Sequence, residues 1–208
     1  MVASNSTTRP FAPGSSGWCV ADLDDPAIAR QWEQGRYEMI EGVIRDMGPA
    51  FFAHNRATNR LLRAVERYQE DKGEPYDTSF EVDLVLDEDT QFQADAVLIR
   101  PGDVKRHYAK LSELGRSEPE LRRLVVPPTL VIESVSEGHD RHDYHVKWER
   151  YAKFGVPHYW IVNRFDHSLL CLRLEQGAYF EDAFGRGEET VEPSAFPGLK
   201  INLENIFG

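Results

Sequence analysis

The chain has 208 residues, a length that suits one domain with a substantial buried core. Hydrophobic residues make up 41% of it, and no stretch approaches the roughly 20 consecutive apolar residues of a membrane span, so we expect no membrane partner. The formal charge of −11 argues against tight, promiscuous binding of nucleic acid unless the fold forms a local basic groove, because phosphate contacts supply most of that affinity.

The beginning of the sequence differs in composition from the remainder. Residues 1–17 are rich in Ser, Thr, Pro and Gly and lack the apolar segment of a secretory signal, so we predict a flexible arm. A single domain is then expected over residues 18–208. Cys19 and Cys171 lie far apart, without the spacing of a disulfide framework or a zinc knuckle, which favours a reducing, cytoplasmic location.

The first predicted elements are a short helix, a ribbon and a long helix. Residues 25–34 can form a helix that begins after an Asp N-cap. Residues 37–47 alternate around Glu41-Gly42, which predicts two short antiparallel strands joined by a tight turn. In residues 54–70 the apolar positions recur at helical spacing, so this segment is predicted to be an amphipathic helix.

Three strands are predicted next. Residues 80–86 and 91–99 both alternate, and Phe92, Ala94, Ala96 and Leu98 are expected on one face of the second strand. Residues 103–126 are polar and are interpreted as a partly helical insertion. Residues 129–136 form a nearly continuous apolar run, as in a strand covered on both faces.

The last third of the chain predicts a helix over residues 140–154, a buried strand over 158–163 and a hairpin that turns at Gln176-Gly177. Residues 197–207 are a final short apolar element. A helix that joins two strands over a short path is a crossover, so strands 129–136 and 158–163 should be parallel. The predicted class is α/β, with helices on both sides of a central mixed sheet and a C-terminal hairpin.

Two acidic residues interrupt otherwise apolar strands. Asp95 lies in the strand 91–99 and Glu133 in the strand 129–136. Burial of a neutral polar group without a hydrogen bond costs about 2–7 kcal/mol. A carboxylate in such a strand therefore also destabilises the fold by several kcal/mol unless it is paired or binds a metal. If the two strands are neighbours, both carboxylates converge on one point that suits Mg²⁺. Lys147, on the following helix, could reach the same point, and the three groups suit phosphodiester hydrolysis.

Several motifs around these residues form a recognisable set. They are residues 37–47, the triplet Gln93-Ala94-Asp95, residues 130–136, and a helix in which Asp143, Lys147, Tyr151 and Gly155 recur every four residues before Val156-Pro157-His158-Tyr159-Trp160. The set resembles the PD-(D/E)XK nuclease superfamily. More narrowly, it is similar to a large bacterial family of restriction-endonuclease-like proteins long catalogued as a domain of unknown function, over residues 37–207.

The resemblance implies a restriction-endonuclease-like αβββαβ core with a metal held by Asp95 and Glu133. The Lys of the superfamily motif usually stands two residues after the acid, but here that position is Val135, and Lys147 on the next helix corresponds to it. The Pro that usually precedes the Asp is Ala94 here.

Further residues could support such a site. Asp143 and Tyr151 share a helix face with Lys147, although Asp143 could simply pair with that lysine. Glu38 or Glu41 could supply another acid, although an acid of the ribbon that faces solvent is the simpler interpretation. Two more candidates with ordinary structural explanations are Ser136, which could cap a turn, and His54, which begins a helix.

The hypothesis from sequence is a DNA endonuclease that uses Mg²⁺ or Mn²⁺ and cuts both strands as a homodimer. A nuclease for RNA or single strands would use the same site. The rival is a catalytically silent binding module on the nuclease fold, which the charge of −11 favours. A basic groove formed by Arg141, Lys147, Arg150 and Lys153 would favour nucleic acid, whereas an acidic rim would favour the rival.

Overall fold

A computed structural model of the chain describes residues 9–48, 52–116, 123–135 and 141–208; for residues 52–55 and 141–144 it describes only the helical backbone. The first elements are α1 (Pro26–Glu33), β1 (Tyr37–Ile40), β2 (Val43–Asp46), α2 (Phe52–Lys72), β3 (Asp77–Val85), β4 (Gln91–Ile99), α3 (Pro101–Glu113) and β5 (Arg123–Leu124). The others are β6 (Leu130–Ser134), α4 (Arg141–Phe154), β7 (His158–Asn163), β8 (Ser168–Glu175), β9 (Ala178–Arg186), β10 (Thr190–Val191), β11 (Ile201–Asn202) and α5 (Leu203–Phe207).

Local signals in the sequence fix several of these boundaries. Asp25 caps α1 by accepting a hydrogen bond of 2.8 Å from the backbone N–H of Ala27. Glu41 and Gly42 both have positive φ, 50° and 71°, as the turn between β1 and β2 requires. Gly155 ends α4 with φ of 91°, a conformation that a residue with a side chain rarely adopts. The predicted ribbon, the start of α1 and the end of α4 are therefore confirmed.

The main sheet has the strand order β2-β1-β4-β6-β7-β8-β9, and β3 pairs with β4 and with the short β5. β6 and β7 are parallel and are joined by α4, as the crossover predicts. β8 and β9 form the predicted hairpin, with Glu175 paired to Ala178 across the turn. The chain thus has the predicted α/β class, with a large mixed sheet and flanking helices. Within the described residues, no helix has the length and apolar character needed to span a membrane.

The core consists of apolar clusters on the two faces of the sheet. One lies between the sheet and α2 and includes Leu61, Ile132 and Trp160. The other lies between the sheet and α4 and includes Phe92 and Tyr159. With α2 and α4 on opposite faces, the strands between them are buried on both sides, which explains the continuous apolar run in β6.

The described part of the predicted arm, residues 9–17, packs against the domain, and its flexibility stays a prediction. Phe11 stacks edge-on against Tyr37, with ring centroids 5.2 Å apart, and its ring also contacts Trp18. Backbone hydrogen bonds join Gly14 and Ser15 to Ile44 of β2. Aromatic burial and pairing to an edge strand hold this segment, and composition alone could not reveal either. The boundary at residue 18 stays a prediction.

Two other expectations need correction. The segment 103–126, interpreted as an insertion, contains β5, which pairs with β3 and so belongs to the sheet. The alternation predicted for β4 is wrong at its centre. Phe92 and Ala94 pack on the α4 side, whereas Ala96 and Leu98 pack on the α2 side. The two faces of β4 therefore exchange at the residue between them, Asp95.

Candidate active site

The cleft forms where neighbouring strands separate along one edge of β4. β1 pairs with β4 at Gln91, and β6 pairs with it from Ala96 to Leu98. Between these ladders, side chains take the place of a neighbouring backbone. The N–H of Gln93 donates to Oε1 of Glu38 at 3.3 Å. Polar side chains can therefore enter this gap, where continuous backbone pairing would leave no room for them.

Asp95 and Glu133 meet at this gap. Both side chains are buried, with 7% and 4% of their surface exposed. The ladder of β4 and β6 ends at the pair Ala96 and Ile132, and Asp95 and Glu133 are the next residues of the two strands beyond it. In addition, the N–H of Ser134 donates to Oδ2 of Asp95 at 2.8 Å and holds that carboxylate in place.

Helix α4 brings two donors to the same carboxylate. Lys147 Nζ lies 3.0 Å from Oε1 of Glu133, and the Tyr151 hydroxyl donates to the same atom at 2.7 Å. The two residues are four positions apart, so one face of the helix carries both donors. Lys147 also lies 2.8 Å from Oε1 of Glu38, on β1. The ammonium group is therefore held between carboxylates of two strands.

Burial and mutual charge perturb this cluster. Burial raises the pKa of Glu133 well above its ordinary value; Lys147 opposes this shift, whereas Asp95 and Glu38 add to it. Burial alone would lower the pKa of Lys147, but the carboxylates of Glu133, Glu38 and Asp95 together raise it. Burial also raises the pKa of the Tyr151 hydroxyl, and the negative charge of Glu133 adds to that effect. Lys147 therefore stays cationic, and the acids gain from any further positive charge nearby.

The residues present fit a hydrated Mg²⁺ rather than a closed protein cage. Among the described residues there is no group of three or more His, Cys, Asp or Glu side chains arranged to hold a metal ion. Mg²⁺, however, commonly takes one or two carboxylates and completes its coordination with water and substrate phosphate. Asp95 and Glu133 offer hard oxygen ligands in a buried place, where burial raises the pKa of Glu133 and the neighbouring acid Asp95 adds to the shift. The donor set therefore suits this cation.

The cleft around the cluster has a volume of about 800 Å³. Among the described residues that line it, six are acidic and four are basic, which gives a formal charge of −2. The acidic residues are Glu38, Glu41, Asp46, Asp95, Glu133 and Glu149, and the basic ones are Arg36, Arg45, Lys147 and Arg150.

The basic groove on α4 that would favour nucleic acid does not form among the described residues. Lys147 is bound to acids, and Arg150 pairs with Glu41 and Asp87. Lys153 is exposed and does not line the cleft, and the side chain of Arg141 is not described. Acids of β1 and its turn neutralise the helix cations, and the helix pattern alone could not reveal those partners.

Comparison with models of known protein families assigns the chain to a family. The model of the Uma2 family, described as "Putative restriction endonuclease", matches residues 27–204, most of the chain. The protein belongs to this family. The match includes β1, β4, β6 and α4, so each element of the site lies within the Uma2 region. A nuclease-like function is therefore supported at the level of the family.

Solved structures agree with this assignment at the level of the fold. A crystal structure from Anabaena variabilis, described as "a putative nuclease belonging to DUF820", is similar to the Uma2 chain with a TM-score of 0.64. The two sequences are 14% identical, and the match covers 84% of this chain and 90% of the other. The predicted restriction-endonuclease-like fold is confirmed. No curated protein matches the chain.

The supporting residues considered from sequence have different positions in this Uma2 chain. Glu38, expected to face solvent, is buried and paired with Lys147, because β1 lies beside β4 at the gap. Glu41 is exposed and paired with Arg150. The side chains of His54 and Asp143 are not described, and Ser136 lies outside the described residues.

Sequence reasoning did not find Arg36. Its side chain lines the cleft, and Nη2 lies 3.7 Å from Oδ1 of Asp95. A signal was present, because Arg36, just before β1, alternates with Glu38 and Ile40 of that strand, and all three line the cleft, whereas Met39 is fully buried. Two charged residues on one face of a short strand could have indicated a polar site there.

Proposed function

We propose that this protein is a DNA endonuclease that depends on Mg²⁺ or Mn²⁺, with Asp95 and Glu133 as the metal ligands and Lys147 as the group that assists the attacking water. The observation that carries the proposal is the convergence of these three side chains at the gap in the sheet. Membership of a family described as restriction endonucleases supports the reaction class.

Each residue has a distinct part in this proposal. A bound divalent ion would supply Lewis acidity and lower the pKa of a coordinated water. Asp95 and Glu133 would bind and orient that ion through carboxylate oxygens. Ser134 keeps Asp95 in place through its backbone N–H, and Tyr151 does the same for Glu133 through its hydroxyl. The ligands are therefore fixed by hydrogen bonds before substrate arrives.

Lys147 would act through its charge. Its ammonium group stays protonated because three carboxylates surround it, so it is unsuited to take a proton from water. It can instead orient the attacking water and stabilise the negative charge that develops on the phosphate. The carboxylates of Glu38 and Glu133 both contact Nζ of Lys147, which fixes the position of the ammonium group.

The acidic lining of the cleft favours a second candidate, a catalytically silent binding module on the same fold. A formal charge of −2 repels phosphate. The same charge also suits the nuclease proposal, since one divalent ion would bring the lining to neutrality. The two candidates therefore differ in one measurable property, the affinity of the cleft for a divalent cation.

The test is calorimetry with Mg²⁺ and Mn²⁺ together with plasmid nicking, on wild type, Asp95→Asn and Glu133→Gln. We expect wild type to bind the ion and to nick DNA, and both variants to bind it weakly and to lose of order a hundredfold in rate. Asp83→Asn is the matched control, because Asp83 is a largely buried carboxylate on β3 that does not line the cleft.

Two outcomes would decide against the nuclease. If wild type binds neither ion at millimolar concentration, the binding module is the better description. If wild type nicks DNA and both variants nick it equally fast, the catalytic residues lie elsewhere. The control variant should behave as wild type in each assay.

We also propose a homodimer, because two symmetric sites cut both strands of a duplex most simply. A cytoplasmic location suits the two cysteines, which are free thiols in the structure.

A further inference from the structure

Arg36 occupies a special place in the cleft. It immediately precedes β1 and shares a face with Glu38, so its guanidinium lies beside Asp95 while Glu38 contacts Lys147. About a fifth of its side chain, 22%, is exposed. The cation is therefore largely enclosed, yet it lines the cleft that leads to the carboxylates.

The contacts of Arg36 are looser than those of the other enclosed cations. Lys147 lies 2.8 and 3.0 Å from its carboxylates, and Arg150 bonds to Glu41. Arg36, by contrast, lies 3.6 Å from Glu81 and 3.7 Å from Asp95, beyond hydrogen-bond distance. Its Nη1 donates weakly to the carbonyl of Gly48 at 3.4 Å, and its buried Nε has no hydrogen-bond partner within the described residues.

An unusual backbone conformation accompanies this arrangement. Glu81 has φ of 52°, in the left-handed region that residues with side chains rarely adopt. The ladder of β3 and β4 pairs Phe80 with Ala96 and Val82 with Ala94, so Glu81 stands opposite Asp95 at the interrupted rung. Strained backbone of this kind persists where the surrounding structure holds it, often at functional sites. Here it directs the Glu81 carboxylate towards Arg36.

The guanidinium of Arg36, which lines the cleft and makes only loose contacts with its acids, is suited to bind an anion. Its planar fork of five N–H donors matches two oxygens of one phosphate, and within the described residues its Nη groups make one weak hydrogen bond, to the carbonyl of Gly48. The charges of Glu81 and Asp95, with the weak hydrogen bond to Gly48, keep the cation in the cleft. Because most charged groups around it are acidic, a phosphate needs such a donor to approach Asp95 and Glu133.

On the basis of the proposed nuclease function, we propose that Arg36 binds a phosphate of the nucleic-acid backbone next to the carboxylate pair. The alternative role is that Arg36 only orients Asp95. The two roles predict different results, since loss of a phosphate contact weakens the binding of DNA, whereas loss of orientation weakens the binding of the metal.

The test measures the binding of a fluorescent 20-base-pair duplex by anisotropy in Ca²⁺, with the duplex recovered intact afterwards, over a range of salt concentrations. We expect Arg36→Gln to raise Kd roughly tenfold and to lower the slope of log K against log salt by about 1. Arg36→Lys should recover the salt slope but only part of the affinity, because it keeps the charge and loses the fork. Arg173→Gln, which removes one cation outside the cleft, should bind as wild type.

Calorimetry with Ca²⁺ on the same samples separates the two roles. Unchanged Ca²⁺ affinity in Arg36→Gln, together with weakened DNA binding, supports the phosphate contact. Loss of Ca²⁺ affinity overturns it in favour of orientation of Asp95, and wild-type DNA affinity and salt slope in Arg36→Gln overturn it outright. If wild type itself binds no duplex, the proposed function fails, and that result is distinct from a failure confined to Arg36.

Discussion

Glu133 shows how one buried carboxylate can be held by donors from a single helix. Lys147 and Tyr151 both bond to its Oε1, and the tyrosine ring is fully buried against Phe92 and Tyr159. A hydrogen bond to a charged group contributes about 1.5–3 kcal/mol, more than a neutral one, and a buried acceptor that loses its donor is costly. The Tyr151 hydroxyl therefore affects both the stability of the fold and the position of the carboxylate.

We expect Tyr151→Phe to lower the free energy of unfolding by about 2 kcal/mol and to slow nicking about tenfold, because the ring stays in place while one donor is lost. Urea denaturation and the plasmid assay measure the two effects. Tyr179→Phe is the control, because the Tyr179 hydroxyl donates to the carbonyl of Val156 outside the cleft, at 2.8 Å. It should cost about 1 kcal/mol and leave nicking unchanged; equal nicking by both variants would contradict a role for Tyr151 in the site.

Among the strands, β3 has an irregular backbone at one residue, Glu81. Glu81 has a left-handed conformation that costs a residue with a side chain about 1–2 kcal/mol, whereas glycine adopts it freely. Its side chain is half exposed, so no core packing compensates for this cost.

Two substitutions separate the backbone of Glu81 from its charge. Glu81→Gly and Glu81→Gln both remove the ion pair with Arg36, but only the glycine relieves the backbone. We therefore expect Glu81→Gly to be more stable than Glu81→Gln by about 1 kcal/mol in urea denaturation. Equal stability of the two variants would show that the positive φ carries no strain.

The sequence predicts the elements that depend on local signals, but it does not predict the irregularity in β3 and β4. Elements fixed by local signals were predictable: the Glu41-Gly42 and Gln176-Gly177 turns, and the α4 crossover that makes β6 and β7 parallel. The exchange of faces at Asp95 was not predictable, since it lies opposite the irregular backbone of Glu81 on a neighbouring strand, and alternation assumes a regular ladder.

The candidate site was predictable only in part, because some of its residues stand out in local sequence patterns and others do not. Asp95 and Glu133 were found because each interrupts an apolar strand, and Lys147 because it lies on the next helix. Arg36 and Glu38 depend on the pairing of β1 with β4 at Gln91, a contact between distant parts of the chain that no local pattern encodes.

For the whole molecule, two partly buried groups outside the cleft, His158 and Asp83, make stability depend on pH in opposite directions. Burial lowers the pKa of His158 from 6.5 to about 4; Asp182 opposes this shift, and Arg100 and Arg173 add to it. Burial raises the pKa of Asp83 from 3.8 to about 6, against a hydrogen bond from Trp32. His158 therefore contributes stability that is complete above pH 6.5 and is lost as the pH falls towards 4. Asp83 contributes stability that is complete below pH 3.8 and is lost as the pH rises through 6.

Single variants should separate these two contributions. From pH 7 to pH 4, we expect His158→Phe to gain up to about 3 kcal/mol relative to wild type, because the variant has no imidazole for acid to protonate. Over the same range, Asp83→Asn should lose up to about 3 kcal/mol relative to wild type, because its amide no longer gains a proton as the buried acid does. Urea denaturation of the three proteins at pH 7, 5.5 and 4 gives both differences directly. Because each difference is taken against wild type, the other titrating groups cancel, and two differences that change in the same direction would contradict these assignments.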